Sequence, residues 1–193
     1  MSALQSITAP RMANTRRLRL LVSITIISVL AWFLLNALER ETRRAEEMSA
    51  NMVIGQLRSA LVIKGAEVIL GQKDRLENYN GINPFELLEH QWTNYTGLCR
   101  DHKVKSAAWC FLPLKQKATA KEVKGWLIYS PGQPITVDRR AIQKGQLTGW
   151  AVTTEFADRN RNGQQDEGER STGLKLVLVT LPEEVTAVLK TEN

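Results

Sequence analysis

Residues 158–169 read Asp-Arg-Asn-Arg-Asn-Gly-Gln-Gln-Asp-Glu-Gly-Glu. Side-chain oxygens fall at Asp158, Asn160 and Asn162, a glycine stands at 163, and Glu169 closes the run. This spacing fits the D-x-[DN]-x-[DN]-G-x5-E pattern of a calcium-binding loop at every specified position. The chemistry is that of a hard cation. Oxygens from positions one, three and five, the backbone carbonyl of Gln164 at position seven, and the carboxylates of Asp166 and Glu169 can supply the oxygen shell that calcium requires. Gly163 permits the sharp turn. Arg159, Arg161 and Arg170 cancel part of the negative field, so the competing reading is a polar Asn-Gly hairpin that binds no ion. A calcium ion here is expected to be structural, because nothing nearby is suited to catalysis.

No other stretch carries reaction chemistry. There is no G-x-S-x-G elbow, no H-E-x-x-H, no Gly-Lys-Ser/Thr phosphate loop and no Gly-rich dinucleotide turn. His90 and His102, the two histidines, fall in loop sequence, where such residues are more often solvated than catalytic. The expectation is a protein that is not an enzyme, with no catalytic residue and no organic cofactor. Cys99 and Cys110 are the two cysteines. A disulfide between them closes a short loop, contributes about 3 kcal/mol in the loop-entropy model, and fits an oxidising compartment. Two buried free thiols are the alternative. A zinc pair is disfavoured, since Cys-x10-Cys lacks ligand spacing.

The element that positions everything else is residues 20–38, a 19-residue stretch without a charge. A hydrocarbon core about 30 Å thick needs roughly 20 helical residues, so the stretch meets the length of one membrane crossing. Arg11, Arg16, Arg17 and Arg19 precede it and no acid does. Of the net charge of +6, these four supply +4, leaving +2 for the rest, which is no nucleic-acid-binding signature. The arginine-rich head, residues 1–19, reads as a disordered cytoplasmic segment, since basic residues accumulate on that side. Arg40, Arg43 and Arg44 on the far flank oppose this order, four against three. The domain at 39–193 is then outside, in the periplasm of an inner-membrane protein. The apolar run is longer than a cleaved signal's, and no good Ala-x-Ala site closes it.

Beyond the membrane stretch the helical pattern continues. Met48, Met52, Val53, Leu57, Ala60, Leu61 and Val68 recur at three and four residues and draw one apolar stripe. No proline occurs between Leu18 and Pro84. The simplest reading is one helix running to about Leu70 with Gly71 as its C-cap; a hinge within 39–47 is the alternative. Asn80-Gly81 reads as a turn, and Asn83-Pro84-Phe85-Glu86 as a helix start with Asn83 as N-cap. Trp92, Asn94, Tyr95 and Gly97 read as loop, and Asn94-Tyr95-Thr96 fits a glycosylation acceptor relevant only to a eukaryotic secretory protein. Residues 107–112, 125–129, 147–156 and 174–181 are rich in Trp, Val, Ile, Leu, Tyr and Thr and read as strands of an antiparallel sheet. The tail, 182–193, is expected to add a half-buried turn or strand. The fold class is α+β, a long helix packed on a roughly four-stranded sheet.

This layout resembles type IV pilins and the pseudopilins of type II secretion. Phe156, Asp158, Asn160, Asn162, Gly163, Asp166, Gly168 and Glu169 also resemble calcium loops set between strands in bacterial extracellular domains. The segment Gly81-Ile-Asn-Pro-Phe-Glu-Leu-Leu, Asn94-Tyr-Thr-Gly and Gly-Trp-Leu-Ile-Tyr at 125–129 are similar to accessory proteins of the mannose-sensitive haemagglutinin (MSHA) pilus system. The resemblance implies a component that assists pilus biogenesis, with pilin subunits or pilus and secretion assembly proteins as partners. The chain departs from pilins in two ways. No glycine precedes the apolar run, the first being Gly55, and no glutamate lies early within it. It is therefore not expected to be cleaved and stacked like a major pilin. A membrane-anchored sensory or ligand-binding domain is the rival reading, and an anchored hydrolase a more distant one.

Overall fold

A computed structural model describes residues 10–72, 74–90, 92–99, 104–114, 124–166 and 168–190, with backbone alone for 10–14, 184, 187, 188 and 190. The chain divides into two compact units, Met1–Thr42 and Arg43–Asn193. One helix, α1 (Pro10–Gly71), contributes to both.

In the first unit α1 begins earlier than the composition of the head suggests. Residues 10–19 are helical rather than disordered, and residues 1–9 lie outside the described ones. Proline suits the first helical position, arginine is a good helix former, and a helix already nucleated extends at one hydrogen bond per residue. The apolar stretch is exposed on all sides: Leu21 at 62%, Ile27 at 64% and Leu34 at 71%. Thr25 satisfies its hydroxyl by donating to the Leu21 carbonyl at 2.9 Å. Apolar all round, with none of its most apolar window buried among the described residues, this part of the helix has the composition of a membrane-spanning segment. Among the described residues it is the one helix long and apolar enough to cross a membrane.

In the second unit, α1 from Arg43 onward packs on a five-stranded sheet. The strands are β1 (Tyr95–Leu98), β2 (Ala108–Pro113), β3 (Gly125–Ser130), β6 (Thr148–Phe156) and β7 (Ser171–Val179), in spatial order β1-β2-β3-β6-β7. All pairs are antiparallel except β1 with β2. A separate ribbon is formed by β4 (Ile135–Val137) and β5 (Arg140–Ile142). Side chains alternate across each strand. Trp109, Leu127, Tyr129, Trp150 and Val152 meet α1 on one face, whereas Cys110 and Ile128 point to the other. There they meet Leu189 of α2 (Glu183–Lys190), so the tail forms a helix and not a turn or strand. Val185 and Leu189, spaced by four, give that helix its inward stripe.

Ala50, Val53, Ile54, Leu57, Leu61 and Val68 are the residues α1 buries against this sheet. Met48 and Met52, expected in the same stripe, are instead 68% and 57% exposed. At 100° per residue they stand about 180° and 140° around the helix from Leu57. Gly65 marks the closest approach, since a Cβ there would lie 3.2 Å from the Leu174 nitrogen. The helix runs through Gly71, and it is Gln72 that takes the left-handed conformation, φ 50°, donating to the Val68 carbonyl at 3.3 Å.

Asn83 caps as expected: its Oδ1 accepts from the Phe85 nitrogen at 3.2 Å, and its amide donates to Glu86 at 3.1 Å and the Tyr95 hydroxyl at 2.9 Å. The element it starts is a single 3-10 turn, Pro84–Leu87. Phe85 stacks on Tyr95 at 4.0 Å and leans on Trp109, which in turn meets Tyr129 and Trp150. At Asn80-Gly81 the turn is present, with Gly81 at φ 74° and both its backbone groups bonded, to Val152 and to Gly125. Gly125 opens β3 so close to β2 that a Cβ would come 2.3 Å from the Leu112 oxygen.

The β4–β5 ribbon is fastened to α1 by polar side chains. Asn51 donates to the Thr136 carbonyl at 2.8 Å and accepts from the Asp138 nitrogen at 3.2 Å, much as a neighbouring strand would. Glu47 accepts from the Thr136 nitrogen at 3.0 Å. Glu46 accepts from the Tyr129 hydroxyl at 2.8 Å and the Gly132 nitrogen at 2.7 Å. Burial, and then the Glu46 carboxylate, push the Tyr129 hydroxyl well above the usual phenol range. Arg58 pairs with Asp138 at 2.8 Å and holds its carboxyl below the usual range.

Candidate functional site

The loop between β6 and β7 is held at its base by the Ala157 nitrogen, which donates to the Arg170 carbonyl at 3.0 Å, and by the Phe156–Ser171 pair. A register shift between Glu155 and Phe156 lets the chain leave the ladder there. Arg161, Gly163 and Gly168 take positive φ, at 60°, 75° and 94°, and fold the loop back on itself. Flanks of strand rather than helix agree with the sequence.

Inside the loop the candidate ligands converge. Asp158 accepts from the Asn162 nitrogen at 3.2 Å and the Gly163 nitrogen at 2.9 Å. Asn160 accepts from the Asn162 nitrogen at 3.1 Å, and Asn162 from the Gln164 nitrogen at 2.7 Å. The amides of Asn160 and Asn162 both donate to one oxygen of Asp166, at 2.6 and 2.8 Å. Glu169 accepts from the backbone nitrogens of Arg159 at 2.8 Å and Asp166 at 3.2 Å. The six candidates thus share one polar knot, Gln164 through its backbone. Its side-chain donor set is wholly oxygen or carboxamide, which is the set calcium takes. Among the described residues no three carboxylates, histidines or cysteines gather as a ligand group.

Cys99 and Cys110 are joined as a disulfide, with a Cα–Cα distance of 5.0 Å. The bond ties the end of β1 to β2, beside the Cys99 nitrogen donating to the Phe111 carbonyl at 2.9 Å. The alternative of two free thiols falls with it.

One concavity escaped the sequence. An open groove of about 700 Å3 is lined by Ala60, Ile63 and Lys64 of α1 and by Leu88, His90 and Trp92. Its walls come from separate segments of the chain, Ala60–Lys64 and Leu88–Trp92, and no local spacing says that the two meet. His102 lies outside the described residues.

Comparison with protein-family models, with curated proteins and with solved structures returns no match.

Proposed function

We propose that the chain is a single-pass inner-membrane protein whose periplasmic, pilin-like domain assists the biogenesis of a type IV pilus of the MSHA kind, as an MshF-like accessory component, or of a related secretion machine. It works by binding and not by catalysis. The observation that carries the reading is that α1 supplies both a lipid-compatible segment exposed on every face and the spine of a disulfide-closed sheet domain. The first supports an anchor. The second supports a compartment where disulfides persist, and hence an N-terminus in the cytoplasm. Pilin subunits or assembly proteins are the proposed partners.

For the loop at 158–169 the proposal is a structural calcium ion. Asp158, Asn160, Asn162, the Gln164 carbonyl, Asp166 and Glu169 would hold it. The ion would supply positive charge where Asp158 and Glu169 now rely on backbone N–H groups and Asp166 on the carboxamides of Asn160 and Asn162. Thermal melting with calcium and with chelator tests this, and an unchanged midpoint would count against it.

Deletion of the gene in a piliated strain, together with co-purification from membranes, tests the main reading. Loss of surface pili and recovery of pilus proteins are expected; normal piliation would overturn it. A second reading, an anchored ligand-binding domain, is favoured by the groove beside Trp92. It predicts normal pili on deletion and a small molecule protecting the domain from unfolding.

A further inference from the structure

One face of α1 in the second unit is used by neither the sheet nor the loop. Met48, Met52, Gly55, Ser59, Val62 and Ala66 follow one another at alternating spacings of four and three. That is a heptad seam, the pattern by which one helix packs on another knobs-into-holes. All six are exposed, Met48 at 68%, Met52 at 57% and Val62 at 65%. Beside them Ile63 and Leu70 are 61% and 81% exposed. A surface helix with one apolar face ordinarily keeps its opposite face charged. Here the charged residues between Met48 and Ala66 are Arg58 and Lys64, and each is engaged elsewhere: Arg58 with Asp138 at 2.8 Å, Lys64 with Glu67 at 3.1 Å. The helix therefore carries two apolar stripes, one inward and one outward.

We infer that the outward stripe is a self-association interface through which two copies of this chain pair as a parallel, two-fold coiled coil. The inference rests on the membrane-anchored reading, because a shared bilayer fixes both helices in the same direction. Five observations select a second copy as the occupant. The complement of a heptad seam is a helix with the same repeat, and this chain bears it. The same spacing runs back in the sequence through Leu38, Leu34, Ala31 and Ile27, broken at Glu41. A parallel two-fold sets each seam residue opposite itself, which like charges would forbid, and from Met48 to Ala66 the seam has none. Gly55, Ser59 and Ala66 let two backbones approach, and the Ser59 hydroxyl is already satisfied by the Gly55 carbonyl at 3.0 Å. The exposed area of the three seam hydrophobes with Ile63 and Leu70 is on the order of 600 Å2 per copy, so a pair that covered them completely would reach the lower bound of specific interfaces, about 1,200 Å2.

The test is cysteine cross-linking of the full chain in membranes of a host without pilus genes. The native disulfide leaves no free thiol to interfere. Met52→Cys, Ser59→Cys and Val62→Cys are expected to give a disulfide-linked dimer of twice the chain mass. Glu67→Cys, exposed but off the seam, is expected to give none. In detergent, Met52→Lys combined with Val62→Lys is expected to convert dimer to monomer with no change in melting midpoint, since both positions are exposed. Equal cross-linking at all four positions, a wild-type chain that sediments as monomer, or cross-links only to a protein of another mass would each overturn the inference. A chain absent from the membrane fraction would instead overturn the anchored reading beneath it. A membrane-bound chain with no seam cross-links would overturn self-association alone.

Discussion

Two positions five residues apart on α1 should respond very unequally to the same substitution. Leu57 is fully buried among the aromatic core, with Trp109 and Trp150 in the same cluster. Leu57→Ala removes three carbons and leaves a cavity under a sheet that cannot collapse onto a helix already at its closest approach near Gly65. Changes of this kind cost about 2–5 kcal/mol. In a folded unit of this size each kcal/mol moves the midpoint by roughly 2–4 °C, so a fall of about 4–20 °C is expected. Met52 is 57% exposed, and Met52→Ala in the dispersed monomer should stay within about 0.5 kcal/mol, a shift of about 2 °C or less. The assay is a thermal melt of the full chain in excess detergent, followed by tryptophan fluorescence. Leu57→Met, which conserves volume, should lose less than about 1.5 kcal/mol and shows that the loss tracks the cavity. Equal falls for Leu57→Ala and Met52→Ala would refute the division of α1 into an inward and an outward stripe.

The remaining predictions concern the cross-link and the Arg58–Asp138 pair. Replacing Cys99 and Cys110 together by serine, or reducing them, frees a loop of sequence separation 11 and should cost about 3 kcal/mol in an unfolding titration; a loss below about 1 kcal/mol would show that the bond does not limit the unfolded chain. The Arg58 hydrogen bond, the largest cause, lowers the Asp138 pKa in the folded state. Its stabilisation is therefore present above the unfolded carboxylate value and is lost as pH falls through the folded value, below about pH 4. Arg58→Gln should flatten that acid limb. Because both side chains are partly exposed, the gap from wild type should be under about 1 kcal/mol at pH 7 and close at acid pH. A gap that widens on acidification would contradict the pairing.

What the sequence disclosed followed from strong local signals. The uncharged stretch at 20–38, the Asn83-Pro84 start, the Asn80-Gly81 turn, the four long strands and the disulfide each rest on composition or turn chemistry that neighbouring residues reinforce. The misses have physical reasons. β1 is four residues with a glycine inside it, and it is held as a strand by the disulfide and β2 rather than by propensity. β4 and β5 are joined through Asp138 and Arg139, which take φ of 53° and 63° where Asn-Gly would have advertised the turn. The helical stripe was drawn too wide because Met48 and Met52 also recur at helical spacing, and periodicity alone does not say which of two faces a residue occupies. At the candidate ion loop the order of donors was legible. The convergence of Asn160 and Asn162 on one Asp166 oxygen was not, since it depends on where the loop folds back at Arg161 and Gly168.

The carboxamide of Asn51 has a further consequence. A two-stranded ribbon of three residues a side presents a margin of unpaired backbone groups to which an extended peptide can add itself. Asn51, by engaging the Thr136 carbonyl and the Asp138 nitrogen, and Glu47, by accepting from the Thr136 nitrogen, together occupy the outer margin of β4 and close it to such an addition. An alanine at position 51 would release the Thr136 carbonyl and the Asp138 nitrogen and leave Glu47 as the cover of that margin.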